Sequence, residues 1–373
     1  MSIPAAEGLP APERAPATDS FALSELELFW IGLQPFFESQ GYKLRPRYQP
    51  GWVKSWKGTP GFRVEDAISP TMSEDKMMDA TRISDGRVVV LKCVDRVVNA
   101  SEVEIHRFLS QEDFQADERN HCVPLLDVLD PQNGNIVFLV IPLLRDFEDP
   151  KLLSVEDAID FFRQTLEGIA FMHEKGVAHR DCARFNIMMD AKDIFPSGFH
   201  PQRTYLTPDA SHWAPVRPRY QVPFPKYYFI DFGISTRFLE GESPLVTGTD
   251  GQDKTVPEFK ANGAPAYDPF PVDIYILGNV YKNDLLSIYP SLAFLRPLVD
   301  RMTLTEPTER PSAIEALGLL EGCRRRLFSL TLYRRLSPVK ENFIVGFVRA
   351  GWHLGQRATS RSRSRGSLSP TQV

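Results

Sequence analysis

The chain contains no run approaching the ~20 consecutive apolar residues that a membrane-spanning helix needs. Nor does its N-terminus carry a basic-then-apolar signal pattern. Its four cysteines, Cys93, Cys122, Cys182 and Cys323, are scattered, without metal-ligand spacing or a disulfide framework. Together these absences predict an intracellular protein, cytoplasmic or nuclear, with free thiols in a reducing compartment. No internal repeat is found. Hydrophobic residues make up 42% of 373, enough for a two-lobed core or two small domains with tails. The net charge of -5 is uneven. Residues 320–373 carry eleven Lys or Arg against two Glu, so this end is strongly basic and the remainder strongly acidic. A basic tail of this kind is either simply solvated or attracted to an acidic partner.

Residues 1–20, rich in Ala, Pro and Glu, read as a disordered leader. From Phe21 to Tyr42 apolar residues recur at helical spacing. The helical, aromatic extension 21–64, with Trp30, Trp52 and Trp56, is expected to pack its rings on the lobe that follows. Gly86 to Val94 is a β-rich run with Lys92 near its end. In Ser101 to Leu109, Ile105, Phe108 and Leu109 form an apolar stripe with Glu104 beside it. A strand is expected within Val123–Leu129, then a turn at Asn133-Gly134 and a buried strand over Ile136–Ile141. Ser154 is a helix N-cap, and Ile159, Phe162, Leu166 and Ile169 carry that helix to about His173.

The chemistry-bearing residues lie further on. His179-Arg180-Asp181 is followed by Asn186, and then by Ile230-Asp231-Phe232-Gly233. Carboxylate and amide oxygens are the hard donors that Mg²⁺ prefers. Either tripeptide alone is a weak match; in this order, behind a strand lysine, the set is specific. The chain resembles a eukaryotic protein kinase over residues 65–325. A Pro- and aromatic-rich insert holding Phe199-His200-Pro201 makes it similar to divergent fungal protein kinase-like proteins.

The resemblance implies an α+β, two-lobed protein kinase-like fold. A small antiparallel β-rich N-lobe with one main helix would precede a mainly helical C-lobe, with ATP and Mg²⁺ between them. Lys92 would contact the phosphates, with Glu104 orienting it, and Asp181 would orient the attacking hydroxyl as base. Asn186 and Asp231 would hold Mg²⁺. Ile141 falls at the gatekeeper position and Leu144 in the hinge, where Pro142 removes a backbone donor. Glu258, in Val256-Pro257-Glu258, would pair with Arg310, and Asp273 would tie down the backbone around His179. His179, Phe232 and Gly233 take structural roles, and Cys182 only fills space. Arg180 could clamp an activating phosphate on Thr247, with Thr249 and Thr255 as alternatives.

Departures accompany the match. Counting back from Lys92, the family's three phosphate-loop glycines fall at Pro70, Met72 and Asp75, so nucleotide should be held weakly. Ala183 stands where Ser/Thr kinases carry a Lys, with Arg184 one place on as a possible substitute. Gly251 replaces a Thr near the base. The density of aromatics in the insert 191–227 suggests a segment packed on the lobe, a candidate lid or docking surface, and 326–373 is a basic tail, disordered at its end.

The leading reading is a kinase transferring the ATP γ-phosphate to a protein Ser/Thr hydroxyl. The alternatives are a pseudokinase acting as a binding module and a small-molecule phosphotransferase. The Glu258–Arg310 and Asp273 marks argue against the last.

Overall fold

The computed structural model describes residues 22–58, 61, 63–69, 76–132, 134–260, 265–342, 349 and 351. It begins with α1 (Glu25–Ser39), started by a capping box in which Ser24 and Glu27 satisfy each other's backbone. Strand β1 (Tyr42–Leu44) follows, then β2 (Met77–Arg82) and β3 (Val88–Asp95). Next come α2 (Ala100–Leu109), the single turn α3 (Glu112–Gln115), β4 (Asp127–Leu129) and β5 (Ile136–Pro142). The five strands form an antiparallel sheet in the order β1-β2-β3-β5-β4.

Alternation along β3 sorts its side chains between two faces. Val89 and Leu91 join Trp30, Phe37 and Phe138 in the core under α1. Phe37 meets Phe138 edge-on at 4.9 Å, and Trp30 lies 5.5 Å from the same ring. Val90 and Lys92 are therefore left on the opposite face. Because β1 lies at Tyr42–Leu44 and α1 covers the sheet, elements of the 21–64 segment are built into the small lobe itself.

The large lobe starts with β6 (Arg145–Asp146) and α4 (Val155–Glu174), the latter capped by Ser154 and Asp157. The strands β7 (Val177–Ala178), β8 (Ile187–Met189), β9 (Tyr227–Phe229) and β10 (Thr236–Arg237) then form two small sheets, β6-β8-β9 and β10-β7. Helices α5 (Pro269–Val280), α6 (Arg296–Met302), α7 (Ala313–Arg325) and the turn α8 (Ser329–Leu332) complete it. Its core gathers on α4, where Phe162 stacks on Tyr281 at 3.7 Å and Phe161 on Phe147 at 4.4 Å. The result is an α+β, two-lobed, kinase-like architecture.

Between β8 and β9 the insert forms almost no regular structure, yet Phe195, Phe199, Leu206 and Ala210 are buried in it. Buried Arg219 ties its end to the carbonyls of Phe147 and Pro150. Satisfying those carbonyls lets an irregular segment stay packed. Asn133, Pro70, Met72 and Asp75 lie outside the described residues, as do 1–21 and most of the basic tail.

Candidate active site

Lys92 projects from β3 into the space between the lobes. Its ammonium forms ion pairs with Glu102 of α2 and with Asp231, the latter at 2.8 Å. Burial works against the charged ammonium, but the two carboxylates outweigh it and raise the pKa of Lys92. The expected partner, Glu104, requires correction: it is exposed, and Glu102 takes the position. Glu102 lies three and seven residues before Ile105 and Leu109, all buried on one helix face. Glu104 is rotated some 200° from Glu102 around the helix.

Asp231 sits at φ 65°, a left-handed backbone uncommon outside glycine. The turn lets the Gly233 N–H donate to its Oδ1 at 3.1 Å. Burial alone would raise this carboxyl, but Lys92 and the Gly233 amide hold it below the ordinary value. Phe232 is fully buried between His179 and His106, with ring centroids 5.4 and 5.2 Å away. Burial lowers the pKa of His106 to about 4, so a neutral ring bonds the Val123 carbonyl at 2.8 Å.

Asp181 lies on the loop after β7. Asn186 donates its amide to the Asp181 carbonyl at 2.8 Å and to Oδ2 at 2.9 Å. Gln252 also reaches Asp181, its backbone N–H donating to Oδ1 at 2.7 Å and its side chain to Oδ2 at 3.3 Å. Burial raises the Asp181 carboxyl, against the opposing effect of the Gln252 bonds. Nothing in the sequence pattern marked Gln252.

The loop is held from below by Asp273, fully buried on α5, which accepts from the backbones of His179 at 2.8 Å and Arg180 at 2.6 Å. Arg180, at φ 67°, donates to the carbonyls of Ile234 and Thr247. Thr247 itself is exposed. Cys182 is buried, its thiol pushed far up by burial and donating to the Asp273 carbonyl. Arg310 and Glu258 form a bidentate pair at 2.7 and 2.9 Å. Arg184 instead joins Asp146 at 3.0 Å, with Asp284 at 3.7 Å, and stacks over Phe147.

Beside these groups opens a cleft of about 390 Å³, with Val90, Ile141, Leu144, Met188 and Ile230 among its apolar walls. That size and lining suit a nucleoside. Among the described residues no three His, Cys, Asp or Glu side chains cluster as a metal site. Asn186 and Asp231 fit Mg²⁺ as hard oxygen donors only with phosphate and water as further ligands.

The fold and this geometry define a protein kinase-like chain, and the likenesses to known proteins agree. Over 138 residues it is 31% identical to serine/threonine-protein kinase CAK1 of Saccharomyces cerevisiae, covering 36% of this chain and 27% of that protein. It is 26% identical over 115 residues to a probable myosin light chain kinase of Dictyostelium discoideum, 29% of each chain. A segment of 48 residues is 50% identical to serine/threonine-protein kinase chk1 of Schizosaccharomyces pombe, 13% of this chain and 10% of that one. The chain thus spans under a third of the length of the curated relatives it matches. No family model matches it.

Proposed function

We propose that the chain is a protein kinase that transfers the γ-phosphate of ATP to a Ser or Thr hydroxyl on a protein. The observation that carries this reading is that Lys92 and Glu102 of the small lobe meet Asp231 of the large lobe, where the neighbouring Ile230 N–H donates to the carbonyl of Asn186, itself bonded to Asp181. Adenine would occupy the apolar cleft, with the Leu144 backbone supplying the hinge contact that Pro142 cannot donate. Lys92, oriented by Glu102, would bind the phosphates. Asn186 and Asp231 would hold Mg²⁺, whose role is to neutralise charge developing on the transferred group.

Asp181 would orient the acceptor hydroxyl. The hydroxyl oxygen bonds to the γ-phosphorus, the bond to the β–γ bridging oxygen breaks, ADP departs, and Asp181 takes the proton. Arg180, whose guanidinium donates to the Thr247 carbonyl, would meet a phosphate on that exposed residue. Four free cysteines support an intracellular setting.

A second reading, a binding module without turnover, has one observation in its favour. Gln252 donates to both carboxylate oxygens of Asp181, where an acceptor hydroxyl would have to compete.

The test is intact-mass analysis after incubation with Mg-ATP, beside an Asp181→Asn variant. Phosphate added to the parent alone supports transfer by its own site, and mapping the modified residues reports Thr247 and the hydroxyl preference. Nucleotide binding with no incorporation in autophosphorylation or on general protein substrates would favour the binding module.

A further inference from the structure

In the chain between Leu44 and Met77, which connects β1 to β2, the described residues include two short 3-10 turns, Pro46–Tyr48 and Glu65–Ala67. Two arginines pin it to the small lobe. Arg45 pairs with Asp79 of β2 at 2.8 Å and with Glu65 at 3.2 Å, and donates to the Ile68 carbonyl at 3.0 Å. Buried Arg47 pairs with Glu27 at 2.6 Å and donates to the Asp66 carbonyl at 3.0 Å. Ile68 is thereby held at a fixed place.

From the other lobe, the insert comes to meet it. Ile68, Leu206 and Ala210 form a separate buried apolar cluster, with Leu206 and Ala210 fully buried. Nearby, the buried His200 ring lies 3.9 Å from the Glu65 carboxylate, and Arg63 lies over the Trp213 ring at 5.8 Å. The insert is also fastened to β6, where the large lobe starts. The Arg145 guanidinium lies over Phe195 at 4.0 Å and Phe199 at 4.7 Å, and donates to the Thr204 carbonyl at 2.7 Å. Between those two anchors Pro201, Gln202 and Thr204 line the same cleft as Leu144 and Met188.

We infer that residues 199–210 of the insert are part of the nucleotide site: Pro201, Gln202 and Thr204 form one wall, and Leu206 and Ala210 clasp Ile68 of the facing lobe to hold it closed. The inference rests on nucleotide occupying the cleft as proposed above. An apolar contact between lobes favours the closed arrangement in which all walls meet, so nucleotide binds a site that is already assembled. Where opening leaves only a fraction of molecules competent, apparent affinity falls by that fraction.

Calorimetric titration of the full chain with Mg-ATP tests this. Ile68→Asn or Leu206→Asn, each placing an amide in the apolar contact, should weaken binding about tenfold if the closed fraction falls to about a tenth. Val53→Asn, at a position 82% exposed in the same connection, should leave it unchanged. Should the Asn variants fold poorly, Leu206→Ala is read alongside hydrogen exchange of the wild type. Mg-ATP should slow exchange in 64–69 and 203–210 together. Unchanged affinity in the folded variants, or cleft protection without protection of those two segments, would overturn the clasp. Wild-type protein that binds Mg-ATP and shows the clasp effects but transfers no phosphate would instead sink the kinase reading alone.

Discussion

The Lys92 ammonium lies between Glu102 of α2 and Asp231 of the large lobe, so one side chain joins the small lobe's helix to the turn at Phe232 and Gly233. Replacing Glu102 by Gln would leave Lys92 near its place but no longer fix its direction toward the phosphates it is proposed to bind. Misplacement of about 1 Å at a reacting centre can cost ~100-fold. Phosphate transfer by Glu102→Gln should fall by about that factor. Glu104→Gln, on the exposed face, should leave both transfer and stability within about 0.5 kcal/mol of the parent. Equal losses in the two variants would show that α2 is oriented otherwise.

The error at Glu104 has a physical source. The strand carrying Lys92 is legible from its β-branched run, and the order of Asp181, Asn186 and Asp231 along the chain is what makes them candidates. Choosing between two glutamates on one short helix requires knowing which face is inward. The stripe of Ile105, Phe108 and Leu109 left that choice to Phe108, which is only partly buried, whereas Glu102, Ile105 and Leu109 share the buried face. The spacing of three and seven residues was available to settle it. By contrast, no local pattern announces that Gln252 reaches Asp181 or that Leu206 meets Ile68. These contacts join distant segments and depend on how irregular chain is folded. The insert's aromatic content did signal that it packs, but not against what.

Trp30 tests how far the small lobe depends on α1. Its ring is fully buried against Phe37 and Phe138, but among the described residues its indole N–H has no hydrogen-bond partner. Trp30→Ala should cost about 3–5 kcal/mol through the cavity left behind. Trp30→Phe removes the unsatisfied donor and keeps much of the ring volume, so it should cost less than half as much. Chemical denaturation measures both. A near-zero effect of Trp30→Ala would mean that α1 contributes little to the lobe's stability.

The Arg310–Glu258 pair belongs to the large lobe's architecture. Arg310 also donates to the carbonyls of Leu304 and Pro271, so its guanidinium is committed on every side. Glu258→Ala leaves a buried cation without its carboxylate, a change that costs about 3 kcal/mol. For a lobe of this size the midpoint of thermal unfolding should drop by about 6–12 °C. Arg310→Lys should be destabilised as well, because an ammonium cannot reproduce the planar fork that grips Glu258. A thermal shift of a degree or less in both variants would show that this pair is dispensable.

Gln252 offers a test in which pH, rather than stability, is the readout. Hydrogen bonds donated to a carboxylate favour its charged form and lower its pKa, opposing the burial that raises Asp181. Gln252→Ala keeps the backbone N–H donor at 2.7 Å and removes only the side-chain donor at 3.3 Å. The Asp181 pKa should therefore rise further, because burial is then opposed by one hydrogen bond fewer. In the proposed transfer Asp181 must be ionised to accept a proton, so the acid limb of the kcat/KM profile should move to higher pH. Above that limb the opposite effect operates: with less competition at Oδ2, an acceptor hydroxyl reaches Asp181 more readily, and the plateau should rise. An acid limb that stays in place while the plateau changes would assign Gln252 to acceptor access alone, and a fall in the plateau would make it a positioning residue for the base.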